Sequence, residues 1–527
     1  MGVLEKCSKT LFLISPEHNQ DIFFQGYLFI ENDFIYGSGF ENYTKFYQKE
    51  IPAGEDGCYV IIKKIEEKYL INTDYWGYKK IFYFWSDKYW AVSNSLTELI
   101  DWLQARGIKL TPRFSQIAPA LCSTTNILTQ LYSFRTIVNE IRLLPANKEL
   151  IIGSEFATEV ERKCSNRIFP YTTALLNYLE IWTCRLETLI ANNINLNCEL
   201  TGGQDSRTTY AIARKAKKRL GDSNFNVVSH RKGSDDYDIG RQLSTYYGDP
   251  FNIKPTEPRI VRNSLEQYNN WISHSLGVYR PIYFDKFGQE PHHVTITGAD
   301  GGNRPFYDLQ VGKGDYHKFI ERRISSIKPS FLQKEIIIDL EDVFERINVP
   351  SEYSKLIVHY RNFRNRFHGG RRQSNVIFHP LGSSYLNDVY DAADPSRRNS
   401  AQIFFDIMNS LEPGLLQFPF DVQEKSPNAS NLSMLVTAKI SDTPNPGRVF
   451  IGEPEKVQYS ENETHHFEML NLAFYNAIDN PYLRDLLPED AALQARNIMK
   501  IAYEKKQFEH ATDGNIISGI IAADQIL

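Results

Sequence analysis

The segment from Leu200 to Arg207 restricts the fold of this chain more than any other. It reads Leu-Thr-Gly-Gly-Gln-Asp-Ser-Arg, follows a short strand pattern from Asn195 to Leu200, and leads into a helical pattern from Ser206 to Leu220. Two adjacent glycines let a backbone approach a ligand closely. The N–H groups of such a loop and of the following helix N-terminus face one point, which makes an anion site. The segment therefore predicts a strand–loop–helix unit that binds an anion.

Hydroxyl and carboxylate side chains surround the two glycines. Thr201 and Ser206 add hydroxyl donors beside Gly202 and Gly203, whereas Asp205 would repel a phosphate unless a cation joined them. A carboxylate in this place is best explained as a Mg²⁺ ligand. Neither a Walker pattern nor G-x-G-x-x-G occurs, so the common mononucleotide and dinucleotide loops are excluded. The alternative is a tight turn in which Asp205 or Ser206 only caps the helix.

The chain divides into a β-rich part and a part in which strands alternate with helices. Short apolar runs separated by polar turns predict antiparallel hairpins up to about residue 155, at Tyr59–Ile62, Lys68–Asn72, Ile81–Trp85, Tyr89–Val92 and Glu149–Ile152. A polar linker is expected from Ser154 to Pro170. The later pattern predicts helices at 175–192, 206–220 and 237–247 and strands at 195–200, 225–228 and 294–296, hence a parallel sheet. The remainder to Leu527 is expected to be mostly helical.

Composition narrows the class of protein. The 527 residues include 42% hydrophobic and 23% charged residues, which is ordinary for a globular chain with a large core. The net charge of −5 does not predict nucleic acid as the main partner. Six cysteines, none spaced C-x-x-C, are too few for a disulfide scaffold and give no zinc ribbon. We find neither a signal peptide nor an apolar run long enough for a membrane span, so a cytoplasmic protein without a membrane partner is expected.

Several motifs together resemble the asparagine synthetase-like family, which includes β-lactam synthetases and lasso-peptide cyclases. The Gly202 loop resembles the family's Ser-Gly-Gly-x-Asp-Ser pyrophosphate loop, and the resemblance covers nearly the whole chain. Phe225–Val228, Ser229 and the acidic stretch 235–238 resemble the region that holds adenine and ribose. Residues 297–304, with Gly298, Asp300, Gly301 and Asn303, resemble a second loop that contacts pyrophosphate and Mg²⁺. The resemblance also includes His379–Leu381, Tyr385–Leu386 and 403–413.

The N-terminal part is similar to the class II glutamine amidotransferase domain, on the stretches 74–83 and 90–100. The resemblance implies an α/β protein in two domains. Residues 1–155 would form an antiparallel Ntn-hydrolase-like αββα domain. Residues 170–527 would form a parallel-sheet adenine-nucleotide α-hydrolase-like (PP-loop) domain with a helical C-terminal part. The family's nucleophile is a cysteine directly after Met1, but Gly2 stands here and Cys7 is no substitute, so no glutaminase activity is expected.

The chain departs from the family's pattern in three places. In the second loop, the family's metal-binding aspartate aligns either with Gly302 or with Asn303. Asp300 either supplies the negative charge for the metal or is part of a simple turn. Ala401 stands where the family has a catalytic lysine. Arg397 and Arg398 are candidates to stabilise charge in place of that lysine, or they are solvated surface residues. Lys425 is a further candidate for the same role. Arg207, in a first helical turn, indicates either an anion contact or a surface arginine.

A basic group lies between these motifs, and it is either a solvated face or a site for an anionic acceptor. Its members are Arg361, Arg364, Arg366, His368, Arg371 and Arg372. The resemblance as a whole implies an ATP- and Mg²⁺-dependent ligase that adenylates a small-molecule carboxylic acid for attack by ammonia or an amine. It also allows a homodimer. The alternatives are a nucleotide-binding pseudoenzyme scaffold and another adenylating transfer on the same fold.

Overall fold

The computed structural model describes most of the chain. The described residues are 10–18, 20–122, 126–162, 168–221, 225–230, 232–253, 261–299, 316–325, 327, 330–347, 355–370, 376–452, 465–484, 487, 489–510 and 512–527. Gly2, Cys7, Asp300, Gly301, Asn303, Arg371 and Arg372 lie outside these ranges, so the predictions that concern them are not addressed by the structure.

The strands form two mainly antiparallel sheets and one parallel sheet. Their bounds are β1 Leu13–Ile14, β2 Ile22–Ile30, β3 Asp33–Tyr36, β4 Gly57–Ile65, β5 Lys68–Thr73, β6 Phe82–Trp85, β7 Trp90–Ser93, β8 Arg142–Leu143, β9 Lys148–Gly153, β10 Ala157–Glu161, β11 Asn195–Glu199, β12 Phe225–Val228, β13 His293–Ile296, β14 Val376–Phe378 and β15 Val449–Ile451. The expected combination of antiparallel and parallel sheets in an α/β chain is confirmed.

Helices cover the sheets and make up most of the C-terminal third. Their bounds are α1 Gly39–Tyr47, α2 Leu96–Gln104, α3 Phe114–Cys122, α4 Tyr171–Ala191, α5 Gln204–Leu220, α6 Asp235–Tyr247, α7 Ser264–Ser275, α8 Tyr316–Ile324, α9 Ser330–Ile347, α10 Lys355–Tyr360, α11 Arg366–Gly369, α12 Ser384–Ala392, α13 Pro395–Arg398, α14 Gln402–Leu411, α15 Ala429–Ser433, α16 His466–Ile478, α17 Pro481–Arg484, α18 Glu489–Lys505 and α19 Asp513–Asp524. Among the helices described, none combines the length and the apolar character needed to cross a bilayer.

The two N-terminal sheets pack face to face. The small sheet has the order β1-β7-β6-β8, and the large sheet has the order β10-β9-β5-β4-β2-β3-β15. Successive side chains of a strand point to opposite faces, and β6 follows this rule. Tyr83 enters the core between the sheets, whereas Phe82 and Phe84 pack with α2 and α3 on the outer face. Both faces of the small sheet are therefore buried.

Two features of the large sheet differ from the expected division of the chain. Strand β10 lies inside the stretch that we expected to be a linker. Strand β15, from the predicted helical region, pairs in parallel with β3 through Val449–Phe34 and its neighbours. The domain bounds 1–155 and 170–527 remain a prediction, but the C-terminal region contributes one strand to the N-terminal sheet.

The N-terminal sheet and the parallel sheet share a core. Phe29 of β2 packs on Phe378 of β14 with ring centroids 4.5 Å apart, and the Tyr27 hydroxyl lies 3.0 Å from both the N–H and the carbonyl oxygen of Ile377. Arg185 of α4 forms a buried ion pair with Asp56 at 2.6 Å. Apolar contact and a satisfied buried charge together fix the two parts against each other.

Candidate functional site

The parallel sheet places the Gly202 loop at its centre. The strand order is β12-β11-β13-β14, so the chain leaves β11 toward one side for β12 and then crosses to the other side for β13. In open parallel sheets, ligands bind outside the carboxyl ends of the strands at such a switch point. The loop after β11 and the loop after β13 both begin at this point.

Those two loops are in direct contact. A Cβ atom on Gly298 would lie 2.3 Å from the Ser206 nitrogen and 2.5 Å from the Asp205 carbonyl carbon. Real Cβ atoms do not approach backbone this closely, so glycine is required at 298. The structure therefore brings together two of the segments that the sequence assigned to pyrophosphate.

Within the first loop, the two predicted hydroxyl groups bind each other. The Thr201 and Ser206 hydroxyls are 2.9 Å apart, and the Thr201 N–H donates to Ser206 Oγ at 3.1 Å. Helix α5 begins at Gln204 with Gly203 as its N-cap residue, and no side chain caps it there. The capping alternative for Asp205 and Ser206 is therefore not observed, and the hydroxyls close the loop on itself.

A carboxylate already occupies one backbone donor of the loop. The Gly202 N–H donates to Asp236 Oδ1 at 2.9 Å. Asp236 lies in the first turn of α6, and Gly240 allows α6 to approach β11, since a Cβ there would lie 2.9 Å from the Leu200 carbonyl oxygen. The same Cβ would lie 3.6 Å from Ser229 Oγ, which places Ser229 beside the loop. The loop therefore binds an anion of its own chain.

Arg207 has neither of the two environments that the sequence suggested. The side chain is fully buried, and its guanidinium donates to the carbonyl oxygens of Leu415, Phe418 and Pro419 at 3.1, 3.0 and 2.7 Å. It also lies 3.7 Å from the centroid of the Phe420 ring. Burial lowers the pKa of Arg207 to about 10, so the group stays charged at neutral pH. Arg207 is therefore not a surface arginine, and its guanidinium joins a distant segment to the loop, where it also donates to the Gly202 carbonyl oxygen at 3.5 Å.

That segment places Lys425 and Asp421 against the loop. The Asp421 N–H donates to the Gly202 carbonyl oxygen at 3.1 Å, and the Gln204 side chain donates to the Lys425 carbonyl oxygen. The Lys425 ammonium forms an ion pair with Asp421 Oδ2 at 2.5 Å and remains partly exposed. Sequence reasoning named Lys425 only as a further candidate and missed Asp421, because no local pattern marks a residue that meets the loop across more than 200 positions.

Arg397 and Arg398 are engaged elsewhere. Arg397 pairs with the buried carboxylate of Asp406 at 2.5 Å and donates to the Met434 carbonyl oxygen at 2.7 Å. Arg398 donates to the carbonyl oxygens of Tyr390 and Ala393, at the end of α12, at 2.9 Å each. Neither arrangement resembles the solvated surface that we considered. Their catalytic role remains a prediction.

The side chains at the loop suit a divalent cation. Asp421 Oδ1 is buried and has no hydrogen-bond partner among the described residues, and Asp205 lies in the first turn of α5. Carboxylate oxygens are the ligands that Mg²⁺ prefers. Within the described ranges, no group of three or more His, Cys, Asp or Glu side chains is close enough to form a complete protein site. A cation here would take further ligands from phosphate oxygens, as Mg²⁺ commonly does.

Comparison with known proteins gives only distant similarity. No family model and no curated protein matches the sequence. A structure of glutamine phosphoribosylpyrophosphate amidotransferase from B. subtilis, complexed with ADP and GMP, matches with 9% identity and a TM-score of 0.16. That match covers 62% of this chain and 61% of the other. A structure of the allosteric regulatory enzyme of purine biosynthesis matches with 8% identity and a TM-score of 0.14, over 71% and 67% of the two chains. At such scores these similarities carry no argument, and the family stays a prediction.

Proposed function

We propose that this chain is an ATP-dependent, amide-forming ligase of the asparagine synthetase-like family. In this proposal the N-terminal part has an Ntn-hydrolase-like fold without glutaminase activity, and the parallel sheet is a PP-loop ATP-pyrophosphatase domain. The observation that supports it most is the Gly202 N–H group bound to the Asp236 carboxylate at the switch point of the sheet. A loop that binds a carboxylate oxygen there has the donor geometry for a phosphate oxygen.

The proposed reaction joins a carboxylic acid to ammonia or an amine. The substrate carboxylate attacks the α-phosphorus of ATP, pyrophosphate leaves, and the nitrogen nucleophile then displaces AMP from the acyl-adenylate. Asp205 and Asp421 would hold Mg²⁺ in this proposal, and the ion would neutralise phosphate charge. The Gly202 and Gly203 N–H groups donate to Asp236 Oδ1 and Thr201 Oγ1 in this structure, and in this proposal phosphate oxygens would replace these acceptors at the N-terminus of α5. We propose Lys425 ahead of Arg397 and Arg398 for charge stabilisation, because its backbone carbonyl accepts from the Gln204 side chain and its ammonium pairs with Asp421 beside the loop.

The test of the proposal is pyrophosphate release from ATP and Mg²⁺ with a panel of carboxylic acids and ammonia. Asp205→Ala should abolish the release and leave the fold intact, because Asp205 is partly exposed in the first turn of α5. Asp442→Ala is the matched control, since the Asp442 carboxylate is 85% exposed and pairs with Lys215 of α5, the helix that also carries Asp205. Full activity of Asp205→Ala would contradict the metal role, and the absence of release with every acid would contradict the ligase.

A Lys425→Met variant separates binding from chemistry. Loss of one preorganised cationic donor typically lowers a rate by about a hundredfold to a thousandfold. We expect a decrease of that order in product formation with nearly unchanged affinity for ATP. Equal losses in both quantities would assign Lys425 to nucleotide binding instead.

Glutamine should not serve as the nitrogen source, because Gly2 stands in the place of the family's nucleophile. Glutamate release from glutamine that rises with ATP turnover would refute this part of the proposal.

One observation favours the pseudoenzyme scaffold as a second candidate. The two carboxylates at the loop, Asp236 and Asp421, are bound to Gly202 N–H and to Lys425, the groups that ATP would need. A scaffold would bind nucleotide without releasing pyrophosphate, so the same assay, read beside ATP affinity, separates the two candidates.

A further inference from the structure

The turn 74–77, between β5 and β6, contacts two buried arginines that the proposed reaction does not use. Arg162, directly after β10, donates from Nη1 to the Asp74 carbonyl oxygen at 3.3 Å. Arg366, the first residue of α11 and a member of the basic group, donates from Nε to the Gly77 carbonyl oxygen at 2.7 Å. The Gly77 N–H in turn donates to the Asp74 carbonyl oxygen at 3.1 Å. The turn therefore holds one guanidinium at each of its ends.

The two guanidinium groups lie close enough to influence each other. Burial lowers the pKa of Arg366 to about 10, the Asp74 carboxylate opposes this shift, and the charge of Arg162 adds to it. Each guanidinium packs on a glycine. A Cβ atom at Gly77 would lie 2.8 Å from Arg366 Nη2, and one at Gly54 would lie 2.9 Å from Arg162 Nη1. The two glycines therefore leave the space that these cationic groups occupy.

The buried charges around the turn do not balance. Lys80 is a third buried cation, and its ammonium donates to a carbonyl oxygen of α7 at 3.0 Å. Burial lowers the pKa of Lys80 to about 7, and the charge of Arg366 contributes to this shift. Within the part of the chain that the structure describes, Arg162, Arg366 and Lys80 form no ion pair. The Asp74 carboxylate alone therefore faces an excess of positive charge.

Four nitrogen atoms at the turn are buried without an acceptor among the described residues. They are Nε and Nη2 of Arg162, Nη2 of Arg366 and Nε1 of Trp76. Buried polar groups are nearly always hydrogen-bonded, and a buried charge is stable only when another charge compensates it. A water molecule would accept hydrogen bonds here but would leave the charge uncompensated. An anion would satisfy both requirements.

We propose that the turn 74–77 binds a small monovalent anion, such as chloride, between Arg162 and Arg366. The ion would accept hydrogen bonds from the Nη2 atoms of both guanidinium groups and balance the charge that Asp74 leaves. It must be small, because both arginine side chains are more than nine-tenths buried. Arg162 follows a strand of the large N-terminal sheet and Arg366 begins α11, so the ion would join the two elements. The inference does not depend on the ligase proposal.

The first test is diffraction from crystals of the full chain grown in sodium bromide, because bromide replaces chloride and scatters anomalously. We expect an anomalous peak within hydrogen-bond distance of Arg162 Nη2 and Arg366 Nη2. A water molecule in that place, without anomalous signal, would overturn the inference, since the donors would then be satisfied without an anion.

The second test asks whether the ion binds in solution. Hydrogen exchange of peptides that span 74–80 is compared in sodium chloride and in sodium gluconate at equal ionic strength, since gluconate is too large for the site. The reporter is the Tyr78 amide, which donates to Asp74 Oδ1 at 2.8 Å. Chloride at ten times its dissociation constant should slow exchange about tenfold. Equal exchange in the two salts would overturn the inference.

Variants assign the chloride response to the site. Arg162→Gln should abolish it, because Asp74 then balances Arg366 alone, whereas Arg162→Lys keeps the charge and should retain part of it. Arg241→Gln is the matched control, since the Arg241 side chain is 59% exposed, and it should respond like the wild-type chain. A full chloride response in Arg162→Gln would overturn the inference. Should this variant fail to fold, the bromide peak and the comparison of the two salts in the wild-type chain still decide.

Discussion

Arg207 is the residue whose replacement tests most directly how the site is held together. The guanidinium is fully buried and donates three hydrogen bonds of 2.7 to 3.1 Å to the carbonyl oxygens of Leu415, Phe418 and Pro419. An Arg207→Met variant fills a similar volume and removes Nη1 and Nη2, the two nitrogens that donate these three bonds. The carbonyl oxygens would then be buried without partners, which destabilises the segment that carries Asp421 and Lys425.

The expected loss follows from two opposing contributions. Hydrogen bonds from a charged donor contribute about 1.5 to 3 kcal/mol each, so three of them contribute roughly 4 to 9 kcal/mol. Burial opposes this, because it lowers the pKa of Arg207 to about 10, a penalty of about 3 kcal/mol at 1.36 kcal/mol per pKa unit. The net contribution is about 3 kcal/mol in order of magnitude. Lysine at this position keeps the charge but not the fork, so Arg207→Lys should lose about half of it.

Native-state hydrogen exchange is the appropriate assay, because a single unfolding transition is not expected for so long a chain. The reporter is the Asp421 amide, which donates to the Gly202 carbonyl oxygen at 3.1 Å. A loss of about 3 kcal/mol corresponds to exchange roughly a hundredfold faster, followed by mass spectrometry on peptides that span 415–426. Arg241→Met is the control, since this side chain is 59% exposed and its pair with Asp238 should contribute little. Unchanged exchange in Arg207→Met would refute the conclusion that Arg207 holds the segment on the loop.

Three further predictions concern other parts of the molecule. Gly298→Ala should separate the two loops, because its Cβ would lie 2.3 Å from the Ser206 nitrogen. We expect the variant to lose pyrophosphate binding in titration calorimetry. Pyrophosphate affinity equal to that of the wild-type chain would contradict the contact. Arg397→Ala should leave the buried Asp406 carboxylate without its ion pair, which typically costs about 3 to 5 kcal/mol. Hydrogen exchange at the Val436 amide, which donates to Asp406 Oδ1 at 2.9 Å, should become faster, and unchanged exchange would show that the pair is not needed. Burial lowers the pKa of His359 to about 4 from 6.5. As the pH falls, the unfolded chain therefore binds the proton before the folded chain does. The free energy of unfolding should decrease by about 3 kcal/mol between pH 6.5 and pH 4. A His359→Gln variant should show a flatter denaturation profile over that range, and an identical profile would exclude this contribution.

Several elements were determined by the sequence alone, because their signals are local. The apolar run at Phe225–Val228 and the strand, glycine pair and helix around residue 202 appear in the structure nearly where the pattern predicts them. Turn residues and side-chain periodicity act over a few positions, so neighbours in the sequence suffice to encode them. Strand β2 was not among the predicted strands, although its apolar residues on either side of Gln25 and Gly26 give the same local signal.

The tertiary structure decided where the charged side chains of the site lie. Arg207 looked like a residue for an anion or for solvent, yet its partners are carbonyl groups more than 200 positions away. Arg397 likewise pairs with Asp406, and β15 joins a strand at the opposite end of the chain. A buried charge is stable only beside the particular groups that compensate it. Those groups are brought together by the packing of distant segments, so no local pattern in the sequence specifies them.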